Sequence, residues 1–362
     1  MATSDLLNFI EIPTVDDGIK RFEFHEYEPV ARTNLNNAGE IRINIVQQDL
    51  FTLPSKVYLL FEGRLLKLDG TSYVNADVVT LTNNGIMHLF SQTSYQLSNQ
   101  EVESVYYPGQ ATTMLGMLKY PNDFQLAQGL NQLWYKDSST TTANNPGFTV
   151  RQAYIIQKPT TMGIFSFCIP LKHIFGFCDN YNKVIYGFKH TLTLVRKVTL
   201  PVTFCARQCD AVTVPQSTTF SWRLNVKTSP EKPRYIIVGF QTNKGGNQEL
   251  NSSIFDHCDL KNMYIMLYQE RYPAVDHNLS FPNHQFLRAY RDASVFNYKD
   301  LYPFMVFDVS KQSERLKSSL VDVQIKATFN AVVPADTKAF AVVMSDIFLH
   351  FHSNGNKMNV VY

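Results

Sequence analysis

The residues best suited to chemistry in this chain are few, and each set stops short of a complete site. His350 and His352 are two apart, so on a strand both imidazoles leave the same face and could share a divalent ion. Only ten residues follow His352, leaving no room for the further Glu and His that a cupin-like metalloenzyme takes from downstream strands. A solvated or packed pair is therefore favoured. His25-Glu26 opens like a zincin helix, but Pro29 stands where the second His is needed. Cys205 and Cys209 with His257 and Cys258 could supply a Cys3His zinc set. The contiguous pair gives poor tetrahedral geometry, which favours buried structural thiols. Gly245-Gly246 has the composition of a phosphate loop without the Lys-Ser/Thr that should follow, and reads as a hairpin turn. No G-x-S-x-G elbow, P-loop or G-x-G-x-x-G occurs. Tyr106-Tyr107 and Trp134-Tyr135 could stack on a sugar or a base, but a packed core or a subunit contact is favoured. The expectation is a protein that is not an enzyme, with no catalytic, cofactor or metal residues.

The elements that would carry these residues are strands. Val321, Val323, Ile325, Ala327 and Phe329 alternate with Asp322, Gln324, Lys326, Thr328 and Asn330, the period of a strand with one buried face. The same period runs through Ile41, Ile43 and Ile45, and again through Phe220, Trp222, Leu224 and Val226. Further strands are expected over 56–70 (closed by an Asp69-Gly70 turn), 86–97, 101–107, 148–157, 163–168, 184–196, 235–240, 263–268, 304–309, 339–344 and 348–352. One helical interruption separates them. Met114, Met117 and Leu118 have helical spacing, Pro121 ends that helix, and Asn122 or Asp123 can cap a second one with Phe124, Ala127, Leu130 and Trp134 on one face. The pattern restarts after Arg196-Lys197. Two sets of strands with close turn signals fit two β-sandwiches, and periodicity leaves jelly-roll and immunoglobulin-like topologies equally open. The expected division is an acidic arm over 1–30, a first sandwich over 31–197 and a second over 198–362.

Composition narrows the partners. Aromatics make up 13% of the 362 residues and charged residues 18%, which suits broad apolar faces and subunit contacts over a charged surface. A net charge of +2 with no basic cluster argues against nucleic-acid binding. Residues 1–20 have no basic region followed by an apolar run, and apolar stretches elsewhere are about six residues, short of a spanning helix. The expectation is a soluble, non-secreted protein with no membrane span. Its five cysteines then read as reduced thiols, and the sequons at Asn251 and Asn278 as unused. The arm carries Asp5, Glu11, Asp16, Asp17, Glu23, Glu26 and Glu28 against Lys20 and Arg21. Its Phe9, Ile10, Ile12, Phe22 and Phe24 give it something to dock with. The charged run over 311–317 reads as a loop or a contact between neighbouring particles.

Several stretches resemble the major capsid proteins of Polinton/Maverick elements and their adintovirus-like relatives. They are DLYPFMVFDVSKQSERLKSSLVDVQIKATFNAVVPADTKAFAVVM (300–344), PEKPRYIIVGFQT (230–242), RYPAVDHNLSFPNHQF (271–286), VYYPGQATTMLGMLKYPNDFQLAQGLNQLWYKDSS (105–139), CDNYNKVIYGFKHTLTLVRK (178–197), RQCDAVTVPQSTTFSWRLNVKT (207–228) and NGNKMNVVY (354–362). The chain departs from that pattern at Lys197/Val198 and near Asn297, where such proteins carry longer connections. The resemblance implies an all-β fold of two consecutive jelly rolls, a double jelly roll with short helices in its loops. It further implies a homotrimer of pseudo-hexameric outline that tiles an icosahedral shell around double-stranded DNA. The protein would then sit in the virion capsid after synthesis in the host cytoplasm, with a minor capsid or penton protein as a further partner. Expected subunit contacts are Phe9, Ile10, Phe22 and Phe24 of the arm and Val360, Val361 and Tyr362 of the C-terminal segment. The alternative reading is a two-domain, lectin-like β-sandwich binding module.

Overall fold

A computed structural model describes residues 22–30, 39–46, 50–67, 69–142, 144–156, 163–196, 209–224, 232–244, 250–267, 270–310, 322–346, 350–354 and 357–361. The first half contains β1 (Glu40–Val46), β2 (Phe51–Thr52), β3 (Tyr58–Arg64), β4 (Phe90–Leu97), β5 (Gln100–Tyr106), β6 (Ile164–Pro170), β7 (Ile185–Tyr186) and β8 (Lys189–Arg196). These pair as one long antiparallel hairpin folded on itself: β1 with β8, β2 with β7, β3 with β6 and β4 with β5. A lateral pairing of β4 with β8 closes the sheet β1-β8-β4-β5.

The second half repeats the plan with β9 (Cys209–Thr213), β10 (Thr219–Leu224), β11 (Lys232–Thr242), β12 (Leu260–Leu267), β13 (Glu270–Tyr272), β14 (Met305–Asp308), β15 (Val323–Phe329) and β16 (Thr337–Asp346). Again the outermost strands pair first: β9 with β16, β10 with β15, β11 with β14 and β12 with β13. The wrapped hairpin forms two four-stranded sheets, β14-β11-β16-β9 and β10-β15-β12-β13. That is the jelly-roll arrangement, and it occurs twice in the chain. A last hairpin, β17 (His350–Asn354) with β18 (Lys357–Val361), forms its own two-stranded sheet.

Side-chain period sets the register. In β10, Phe220, Trp222 and Leu224 are buried and lie opposite Ala327, Ile325 and Val323 of β15, so the apolar faces of both strands coincide. A slip of one residue would turn them all to solvent. Phe240 of β11 meets Phe329 of β15 edge-on across the sandwich at 5.6 Å, as Phe61 of β3 meets Phe90 of β4 at 5.5 Å in the first half. In β11, Ile236, Ile237 and Val238 are buried in succession, so both faces of that strand are covered. Phe255 and Phe304 lie over the outer face at Gly239, where a Cβ would sit 2.7 Å from the Phe255 ring.

Among the described residues, five α-helices lie between strands: α1 (Pro108–Lys119), α2 (Phe124–Ala127), α3 (Pro146–Ile155), α4 (Gly176–Asn180) and α5 (Leu287–Ala293). The largest departure from expectation is α3, which occupies 146–155 where a strand is expected over 148–157. Asn145 caps it by accepting from Phe148 N, and Pro146 takes the first turn, where its missing N–H costs nothing. The strand expected over 86–97 starts at Phe90, because Asn84 is left-handed (φ 59°) and a short 3-10 turn follows over Gly85–Leu89. The strand expected over 184–196 splits at Gly187 (φ 76°) into β7 and β8, and the one over 56–70 is confined to Tyr58–Arg64. The second helix after Pro121 is a single turn, Phe124–Ala127, and of the face expected on it Phe124 and Trp134 are buried while Ala127 and Leu130 face solvent. The loop at Gly245-Gly246 and the charged run over 311–317 lie outside the described residues.

Candidate functional site: surface aromatics and the seam between the halves

Several of the described residues with chemical potential are committed to structure. Trp134 is fully buried, edge-on to Tyr120 at 4.9 Å and against the face of Gly116, so it belongs to the core and offers no stacking platform. His25 pairs with Glu23 at 3.4 Å on an exposed stretch. His257 is stacked on Phe281 at 4.4 Å and accepts from Asp259 N, and burial lowers its pKa. Burial pushes the Cys258 thiol up to about 11, which leaves it protonated and unreactive at neutral pH. Cys168 and Cys178 are free thiols as well. Cys205 lies outside the described residues, and His350 and His352 are placed only as backbone positions of β17 opposite Val361 and Asn359. Among the described residues no group of three His, Cys, Asp or Glu is arranged to hold a metal ion, and no helix is long and apolar enough to cross a membrane.

Two features remain. Phe22 and Phe24 are 57% and 70% exposed and contact each other edge-on at 5.2 Å, and Phe24 reaches Tyr58 of β3, itself 47% exposed. Their segment ends on the outer edge of β1, where Pro29 bridges Ile43 and Val30 N donates to Arg42 O. Of the expected subunit contacts, these two aromatics stand free on the surface. Phe9, Ile10 and Tyr362 lie outside the described residues, and Val360 and Val361 are placed in β18 by backbone alone.

The second feature went unseen in sequence: a buried polar seam joins the two halves. Asp137 and Arg151 form an ion pair at 2.6 Å, with side chains 0% and 1% exposed. The Arg151 guanidinium also donates to Leu81 O at 3.1 Å and to Tyr135 O. From the second half, Asn251 Nδ2 and Ser253 Oγ donate to Asp137 Oδ2 at 2.8 and 3.1 Å, while Thr82 Oγ1 of the first half donates to Asn251 Oδ1 at 2.6 Å. The sequon at Asn251 thus has its amide nitrogen committed to the fold. A neighbouring buried ammonium, Lys244, donates to both oxygens of Asp256 and to Ile254 O, and burial lowers its pKa. The sequence signal for the seam was present but weak: Asn145-Pro146 marks a helix start, which places Gly147 and Arg151 one turn apart on one side.

Comparison with known proteins converges on one fold. The family profile described as double jelly roll-like domain matches residues 79–200 and again 198–349. Among solved structures, the Sputnik virophage structure determined by cryo-EM aligns with a TM-score of 0.57 at 9% identity, covering 93% of this chain and 90% of that one. VP54 of PBCV-1, fitted into a Sputnik reconstruction, aligns at 0.53 and 10% identity over 95% and 98%. The PBCV-1 virus capsid model aligns at 0.53 and 11% identity over the same shares. No curated protein matches the chain in sequence.

Proposed function

Because this chain belongs to the double jelly roll-like domain family, we propose that it is a viral major capsid protein of the kind encoded by Polinton/Maverick elements and adintovirus-like relatives. The observation that carries this reading is the doubled nested hairpin, shared over nearly the whole chain with proteins solved in a virus capsid and a virophage particle. In this reading the arm over 1–30 precedes a first roll over 31–197 and a second over 198–362. Three copies stand side by side as a trimer of pseudo-hexameric outline, and trimers tile an icosahedral shell around double-stranded DNA. A minor capsid or penton protein would close its vertices, and the assembled virion would be its final location. Its role is geometric and not catalytic. Burial of apolar and aromatic surface drives association, closed symmetry ends growth at the trimer, and weaker contacts join trimers.

Light scattering coupled to size exclusion tests the reading. One chain is 41.4 kDa, so a trimer elutes at about 124 kDa. A trimer or larger shells support it. A stable monomer would overturn it and turn attention to ligand binding by a two-domain β-sandwich.

Phe9, Ile10, Phe22, Phe24, Val360, Val361 and Tyr362 are the proposed contacts with neighbouring copies, which gives a second test. Replacing Phe22 and Phe24 by Ser removes surface that makes little core contact, so folding stability should change by about 0.5 kcal/mol or less. Trimers should persist while shells seen by electron microscopy disappear. Shells formed as readily as by the parent chain would remove the arm from the contact set.

A further inference from the structure

The Asp137 carboxylate is divided between the two rolls. Its Oδ1 accepts only within the first roll, from Arg151 Nη2 at 2.6 Å and Asn145 Nδ2 at 2.8 Å. Its Oδ2 accepts only from the second, from Asn251 Nδ2 at 2.8 Å and from Ser253 Oγ at 3.1 Å, whose one proton is shared with Asn251 Oδ1 at 2.8 Å. Asn251 is itself held on both sides, since its Oδ1 accepts Thr82 Oγ1 from the first roll and Ser253 N from its own. Segment 250–256 in turn rests on the outer face of the sheet β14-β11-β16-β9. There Phe255 covers Gly239, and Gln241 of β11 donates to Ser252 O and Ile254 O.

We infer that Asp137 is a latch between the rolls, a single buried carboxylate whose two oxygens must be filled from opposite sides for both halves to hold as one rigid unit. Neither roll alone completes it. A first roll without its partner leaves Oδ2 without either donor, and a second roll alone leaves Asn251 Nδ2 without the anion it points at. Buried polar groups are costly when unpaired and stabilising when fully satisfied, so the latch is all-or-none. It fixes the angle between two sandwiches that would otherwise meet as separable domains, whose relative motion is the default expectation.

The test is native-state hydrogen exchange on the full chain, read at 81–84, 250–256 and 301–304, the last of which holds Phe255 N at Leu301 O and brings the Tyr302 hydroxyl to Asp137 O, and it stands whether or not the protein assembles. Asp137→Asn and Asn251→Asp should each speed exchange at these seam amides by about tenfold or more while both sets of strands stay protected. The double variant Asp137→Asn/Asn251→Asp exchanges donor and acceptor across the seam. It places an amide opposite a carboxylate again, with Thr82 and Ser253 still donating to residue 251. Seam protection should return to within about threefold of the parent. Ser253→Ala removes one donor without moving charge, so it keeps the seam readable if Asp137→Asn fails to fold. Its expected effect is about threefold faster exchange at the same amides. Parent-like exchange in the single variants, or a double variant no better protected than the worse single one, would overturn the latch.

Discussion

Lowering the pH from 7 to 5 should destabilise this protein by about 4 kcal/mol through two histidines of the first roll, His190, which is buried, and His173, which is partly buried. His190 on β8 lies between Tyr95 and Thr52, its Nδ1 2.6 Å from the Tyr95 hydroxyl and its Nε2 2.8 Å from Thr52 Oγ1. Thr52 gives its own proton to Ile185 O, so its oxygen accepts from Nε2–H, and Nδ1 is left to accept the Tyr95 proton. The network holds the ring neutral in one tautomer. A proton on Nδ1 would face the Tyr95 O–H directly. Burial accordingly lowers the His190 pKa to about 4. His173, whose Nδ1 donates to Gln132 Oε1 at 2.7 Å, is lowered to about 4 as well, first by burial and then by Lys172 and Lys119 against the opposing pull of Asp179. Between pH 6.5 and 4 the unfolded chain binds these protons and the folded one does not, so stability falls as pH falls through that window. Each site loses about 2 kcal/mol at pH 5 and about 3 at pH 4. His257 and His277 are shifted in the same direction by burial and add to the trend. Denaturant unfolding at pH 7, 6 and 5 measures it. His190→Gln should cost stability at pH 7 yet flatten the slope between pH 7 and 5, and equal slopes in parent and variant would refute the assignment to His190.

What sequence could and could not reveal follows from which groups do the burying. Where a strand has one face on the core and one in water, burial and hydrophobicity coincide. That is why Val323, Ile325, Ala327 and Phe329 are legible one by one, and why β10 lies close to its expected place. Helix α3 was misread because its buried side is polar: Gly147, Arg151, Gln152 and Ile155 face inward while Val150 is exposed. A periodicity count weights apolar residues, so a helix buried on a guanidinium and an amide looks like a short apolar strand. The same blindness hid the seam, whose members are individually ordinary surface residue types. The topology that makes both halves jelly rolls was beyond periodicity for another reason. Pairings such as β1 with β8 or β9 with β16 join the ends of each half, and nothing local in either strand encodes its distant partner.

The seam also explains a glycine, and that gives the second large effect. A Cβ on Gly147 would lie 2.1 Å from Lys136 O and 2.9 Å from Tyr135 O. These are backbone atoms of the stretch that leads into Asp137, so the clash cannot be relieved by turning a side chain. This close approach brings the first turn of α3 against that stretch. One turn on, Arg151 then reaches both Tyr135 O and the Asp137 carboxylate. Gly147→Ala should therefore push α3 outward and cost about 3 kcal/mol in denaturant unfolding, at the upper end for an overpacked site. Because the displaced residue is Arg151, the same variant should open the seam amides to exchange while leaving β10, β11, β15 and β16 protected. Gly39→Ala is the matched control, since nothing lies within 4 Å of the added methyl group, and it should change stability by about 0.5 kcal/mol or less. If the two alanine variants unfold alike, the close approach of α3 does not position Arg151.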